Sequence, residues 1–235
     1  KPITKYATYA TTPEEAVYGT QMAVKHATLP RMGPAAVVMK TPIIRAEMAE
    51  TQKPVLYPTA GYLAYTPARA DQAAVAKLAQ MVNAAERPVI VAGNGVVGAD
   101  AGAQLQALAE KAGIMVVTSY NAKGVIAETS DICAGMLGTW GHAAANRVLA
   151  QADLVVMLGA SMAPDYTRFR DPDLIRPGEQ TLVQVDVDPR NAGWVYPVDL
   201  AVTGDAGDVL TMLDEIGLSP ENAVKRTSLG MSIKK

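Results

Sequence analysis

Apolar residues along this chain fall into two kinds of run, one spaced at helical intervals and one short and continuous, and the two kinds alternate. Thr12-Pro13-Glu14-Glu15 opens the first helix: Thr12 is placed to cap, Pro13 suits the first turn, and Glu15 stands where a capping box closes. The spacing predicts a helix over 13–28, ending at Leu29-Pro30, and Ala35 to Met39 reads as a buried strand after Gly33-Pro34. Between 42 and 67, Pro42, Pro54, Pro58 and Pro67 interrupt every period, the texture of a linker.

From Asp71 the alternation is regular. Val75, Leu78 and Val82 share one face of a helix over 71–85, and Pro88 to Ala92 is a wholly apolar strand. A glycine-rich turn leads to a helix over 99–112 that Gly113 ends, then to a strand over 114–118. A helix over 142–151 precedes the strand Leu154 to Leu158. Two more strands, 182–187 and 200–203, precede a closing helix over 207–216. The stretch 218–235 carries little pattern and reads as a linker. Apolar strands alternating with amphipathic helices imply an α/β fold, a doubly wound parallel, Rossmann-like sheet with helices on both faces. Parallel strands send the loops after Ala92, Thr118, Leu158, Val187 and Thr203 to one rim, where a ligand is expected.

Composition narrows the classes. Lys and Arg number 21 against 23 Asp and Glu, a formal net charge of -2, and no basic run exists, so nothing builds a nucleic-acid surface. The hydrophobic fraction of 49% with 19% charged residues suits a folded globular chain rather than a disordered one. Cys133 is the single cysteine, which excludes an internal disulfide and fits a reducing cytoplasm. No apolar run approaches the ~20 residues of a membrane span, and no signal-peptide layout opens the chain. Lys1-Pro2-Ile3 lacks an initiator Met, so the chain reads as an internal piece of a larger polypeptide.

Candidate chemistry gathers at the expected rim. Gly93-Asn94-Gly95-Val96-Val97-Gly98 fits G-x-G-x-x-G between a strand and a helix, where small residues let backbone approach a pyrophosphate. An NAD site also wants a carboxylate at the end of the next strand, and Val117-Thr118-Ser119-Tyr120 has none. Two readings stay open for the turn: a nucleotide-like cofactor, or close packing of helix on strand. Gly135 to His142 supplies flexible backbone, and Asp186 and Asp188 place two carboxylates after a strand, to touch a ribose or to cap the turn before Pro189. His26 and His142 are the only histidines, and no Ser-His-Asp or metal constellation forms around them. Trp140, Trp194 and Cys133 read as packing residues.

The order of these segments carries a resemblance. Arg87-Pro88-Val89-Ile90-Val91-Ala92-Gly93-Asn94-Gly95, Thr118 to Gly124, Gly135-Met136-Leu137-Gly138, Ala152 to Gly159, Val185 to Pro189 and Gly204-Asp205 resemble the central domain of acetolactate synthase-like thiamine diphosphate (ThDP) enzymes, over about 66–217. Pro2 to Lys40 resembles the end of that family's pyrimidine-binding domain. The resemblance implies a pyrimidine-domain piece over 1–41, a linker over 42–67, the central domain over 68–217 and a linker toward a diphosphate-binding domain over 218–235. It implies a homodimer or homotetramer acting on a 2-keto acid type substrate, with ThDP and Mg bound outside this chain.

The same resemblance implies that Gly93, Asn94, Gly95, Thr118, Ser119, Gly138, Gly159, Asp186, Asp188 and Asp205 line a cofactor crevice able to take FAD or ADP. The sequence departs from the flavin pattern at Ser161, Met162 and Ala163, where an Arg and acidic residues are expected, and at Trp140, where His is expected. Gly204-Asp205-Ala206 lacks the third Gly of the metal motif and reads as a turn before the last helix. The chain is therefore expected to be a scaffold and cofactor-crevice segment, not catalytic by itself. The alternatives are a stand-alone FAD or adenine-nucleotide module and a purely structural oligomerisation domain.

Overall fold

The computed structural model describes residues 3–66 and 69–235. The chain divides into two compact units, 1–66 and 67–235. The expected linker end at Pro67 and central-domain start at Ala68 lie outside the described residues, as do Lys1 and Pro2.

The first unit is a β-α-β piece. Strand β1 (Tyr6–Ala10) pairs in parallel with β2 (Ala35–Met39), and helix α1 (Pro13–Thr28) joins them. Thr12 caps α1 by accepting from the Glu15 amide at 3.2 Å. Glu15 Oε2 reaches back to the Thr11 amide at 2.7 Å, one residue beyond the expected capping-box donor. Gly19 lets α1 lie close on the strands, since a β-carbon there would sit 2.9 Å from Thr8 Cγ2. Strand β1 has no counterpart in the sequence expectations, because its Tyr-Ala-Thr-Tyr-Ala alternation is only weakly apolar. The proline-broken stretch is not featureless: it holds the short helices α2 (Thr41–Ile44) and α3 (Thr59–Tyr62) and belongs to this unit.

The second unit contains helix α4 (Gln72–Ala84), strand β3 (Pro88–Ala92), helices α5 (Asn94–Gly98) and α6 (Gly102–Ala112), strand β4 (Met115–Thr118) and strand β5 (Cys133–Met136). Helix α7 (Ala143–Ala150), strands β6 (Leu154–Leu158), β7 (Thr181–Asp186) and β8 (Leu200–Thr203), and helices α8 (Ala206–Ile216) and α9 (Ala223–Lys234) follow. The sheet order is β5-β4-β3-β6-β7-β8, and every pairing is parallel.

Alternation along the strands divides the core in two. Ile90, Val116, Val156 and Val183 point into one layer with α4, α5, α6 and α8, while Val89, Val117, Val155 and Leu182 point into the other with α7. Side chains as buried as Leu78, Leu105 and Leu149 contribute about 1.5–3 kcal/mol each. The doubly wound parallel sheet expected from the sequence is what the chain forms.

In the second unit three further elements differ from expectation. Strand β5 has no counterpart in the sequence expectations, since Cys-Ala-Gly-Met carries a glycine; its register against β4 shifts between Val116 and Val117. Part of the glycine turn is the helix α5, not a bare loop. Residues 223–234, expected as irregular linker, form α9 and pack on α6 and α7.

Candidate functional site

Because all six strands of the second unit are parallel, their following loops leave from one edge. The chain runs outward through β3, β4 and β5, then returns to β6 beside β3 and runs the other way. The switch point therefore lies between the loops after Ala92 and Leu158, where such sheets form a crevice.

At that point the glycines are occupied by each other. A β-carbon on Gly93 would lie 2.1 Å from the Gly159 carbonyl oxygen, and one on Gly95 would lie 2.6 Å from Gly159 Cα. The Gly93 amide donates to Leu158 O at 2.9 Å and the Gly95 amide to Gly159 O at 3.0 Å. Gly159 turns with φ +58 and donates to Val185 O at 2.8 Å. Thus the amides of Gly93 and Gly95 are already satisfied by backbone. Asn94 remains exposed beside them.

Thr118 ends β4 with its side chain 1% exposed, and Oγ1 finds no hydrogen-bond partner among the described residues. A buried hydroxyl left so costs about 1–3 kcal/mol. Ser119, also buried, donates its amide to Ala92 O at 2.9 Å. Gly138 is held by Asn146, whose Oδ1 accepts from its amide at 2.9 Å and whose Nδ2 donates to its carbonyl at 3.1 Å. With φ +103 and the Tyr120 hydroxyl 2.8 Å from where a β-carbon would be, the position requires glycine.

The carboxylates act as turn and helix caps. Asp186 Oδ1 accepts from the Asp188 amide at 2.9 Å, and Oδ2 accepts from Asn191 Nδ2 at 2.7 Å. Asp188 accepts from the backbone and guanidinium of Arg190, whose pKa this hydrogen bond raises further. Asp205 Oδ1 accepts from the Gly207 amide at 2.9 Å and the Asp208 amide at 3.3 Å, capping α8. Among the described residues, no three His, Cys, Asp or Glu side chains converge as a metal site would require. No described helix is long and apolar enough to cross a membrane.

Sequence reasoning missed the tyrosines that join the rim loops. The Tyr120 hydroxyl accepts from the Trp140 amide at 3.2 Å, and its ring meets Tyr166 edge-on at 4.9 Å between centroids. Asn121 Nδ2 donates to the Tyr166 hydroxyl at 3.2 Å, and the Tyr196 hydroxyl donates to Thr167 Oγ1 at 2.8 Å. Burial pushes both the Tyr166 and Tyr196 pKa upward. Gln184, buried in β7, donates to Ala160 O at 3.2 Å and accepts from the Gly193 amide at 3.1 Å. No spacing rule marks these residues, since their partners come from different loops. Above them Trp140, Phe169 and Trp194 stand 80%, 75% and 64% exposed.

Residues 75–213, from α4 to α8, match the family model for the central domain of thiamine pyrophosphate enzymes. The chain belongs to that family. It is 30% identical over 214 residues to the acetolactate synthase large subunit of Corynebacterium glutamicum, covering 91% of this chain and 33% of that protein. It is 34% identical over 160 residues to glyoxylate carboligase of Escherichia coli O157:H7, covering 68% of the chain and 26% of that protein. With sulfoacetaldehyde acetyltransferase of Alcaligenes xylosoxydans xylosoxydans it shares 33% over 142 residues, 60% of the chain and 24% of that protein. The chain thus spans about a third or less of the length of these relatives.

Proposed function

We propose that the chain is the central scaffold and crevice segment of a cytoplasmic ThDP-dependent carboligase, decarboxylase or acyltransferase that takes a 2-keto acid type substrate, and that it performs no chemistry alone. The observation that carries this reading is that the family match over 75–213 coincides with the parallel sheet and its switch point. The relatives' names, a synthase, a carboligase and an acetyltransferase, support the carboligase and acyltransferase classes.

ThDP and magnesium do not fit the described residues. Asp205, in the segment most like a metal motif, spends its carboxylate on α8, and Ala206 stands where a third glycine is wanted. Their sites are therefore assigned to chain beyond these 235 residues, with residues 1–41 as the end of a pyrimidine-binding domain. Expression of the protein encoded by the complete gene tests the reading: 2-keto acid turnover that requires added ThDP and magnesium supports it, and turnover without either contradicts it.

For the crevice, an FAD or ADP would meet Asn94, Gly138 and Asp188 on the rim, with Thr118 and Ser119 beneath. The spent amides of Gly93 and Gly95 weigh against a diphosphate at the switch point itself, while the unpartnered Thr118 hydroxyl favours a polar ligand. Calorimetric titration with FAD, ADP and NAD separates the cases. Heat with FAD or ADP supports a ligand crevice, and no heat with any of them supports a second reading, a scaffold whose role is subunit contact. The exposed Trp140, Phe169 and Trp194 favour that second reading, with a homodimer or homotetramer as the assembly.

A further inference from the structure

Helix α9 holds to its unit without a fully buried apolar side chain beyond the glycine, its apolar residues such as Ile233 being only partly buried against the core. Of its 12 residues only Arg226 and Gly230 are buried, whereas α8 buries Ala206, Val209, Leu210, Met212 and Leu213. Beside the Ile233 contact, α9 is held by a pair of guanidinium ties running in opposite directions. Arg226, 3% exposed, donates from Nη2 to Val82 O at 2.8 Å, Asn83 O at 3.0 Å and Ala85 O at 2.6 Å, where α4 ends. Its Nη1 donates to Ala112 O at 3.4 Å, the last residue of α6. One cation thus serves the carbonyl ends of two helices, where the backbone dipoles favour positive charge.

The return tie comes from α7. Arg147 donates from Nε to Ile233 O at 3.2 Å and from Nη2 to Lys234 O at 2.9 Å, the carbonyl end of α9 itself. Between the ties, Gly230 lies on Met115 at the start of β4, so close that a β-carbon would sit 2.3 Å from Sδ. A gap of about 10 Å³, room for one water at most, remains under the helix beside Arg87, Met115 and Arg226. The helix therefore crosses the starting ends of β3 and β4, opposite the rim, from the α4/α6 layer toward the α7 layer.

We propose that α9 is a detachable strap, released as a unit when the Arg226 tie opens, while the sheet and rim stay folded. Segments that open locally are those with few buried apolar contacts. Release here frees only partly buried apolar side chains of α9, and water can take the four carbonyls that Arg226 leaves, whereas release of α8 would withdraw five buried apolar residues from the core. The strap thus gives the far end of the domain a discrete attached and detached state, controlled by polar contacts.

Hydrogen exchange on the whole 235-residue chain tests this. In the unaltered protein α9 amides should exchange at least about tenfold faster than those of α8 and β6. Arg226→Met should speed α9 and the last turns of α4 and α6 by about tenfold or more, leaving β3, β6 and β7 unchanged. Arg147→Met should speed only the last turn of α9. Exchange of α9 in step with β6, an Arg226→Met chain in which α9 is unaffected, or one in which the entire unit loses protection or fails to fold, each overturns the proposal.

Discussion

The Gly93 α-carbon faces the Gly159 carbonyl so closely that a β-carbon there would lie 2.1 Å from its oxygen. Backbone, not a flexible side chain, occupies the space, so nothing nearby can yield. Gly93→Ala should therefore destabilise the second unit by about 3 kcal/mol or more, read as a drop in the urea midpoint with little change in slope. An alanine variant as stable as the original would mean that the β3 and β6 loops part easily, contrary to the arrangement described.

Thr118 offers the opposite case. Valine keeps the shape of threonine and removes the hydroxyl that lacks a partner, so Thr118→Val should be neutral or stabilising by up to about 1 kcal/mol. Thr118→Ala, which empties volume in a fully buried site, should instead destabilise. If calorimetry finds FAD or ADP in the crevice, loss of affinity in the valine variant would mark the hydroxyl as a ligand contact.

Buried tyrosines give the fold a sensitivity to alkali. Burial raises the Tyr196 pKa above its ordinary value near 10, with the Thr167 hydrogen bond opposing. A raised folded-state pKa means that the unfolded chain loses the proton first. The contribution is fully present below pH 10 and disappears as pH rises through the folded value. Thermal unfolding between pH 8 and 11 should show a stability loss above about 10 that Tyr196→Phe reduces. The same variant should lower stability at neutral pH by about 1 kcal/mol, through the lost bond to Thr167.

Asp205 makes a prediction about role. As the cap of α8 it satisfies two backbone amides, so Asp205→Ala should cost about 1 kcal/mol, while Asp205→Asn, which also caps, should cost less. A protein in which asparagine proves as damaging as alanine would point to a need for charge at this position that capping does not explain.

How far the sequence revealed this molecule depended on whether a signal was local. Thr12 and Gly113 each mark a helix boundary through chemistry with near neighbours, and the helices begin or end beside them. Strands β3 and β6 are buried on both faces and show it as unbroken apolar runs. Helix α9 is held by Arg226 and Arg147 through carbonyls more than 80 residues away, and such pairings leave no period to read. The G-x-G-x-x-G spacing was legible, but not that Gly159, from a distant loop, would fill the space beside it. Asp186 and Asp188 stood out as carboxylates at a strand end, while their engagement with Asn191 and Arg190 depends on how the following turn folds.

The tyrosine contacts across the rim have a consequence for anyone who would remodel it. Tyr120, Trp140, Tyr166, Thr167 and Tyr196 sit on loops that follow four different strands, yet each is joined to a neighbour on another loop. Transplanting one loop from a relative would orphan its partners, whereas transplanting the four as a set would carry the junctions along. In this domain the unit of exchange is the whole edge of the sheet.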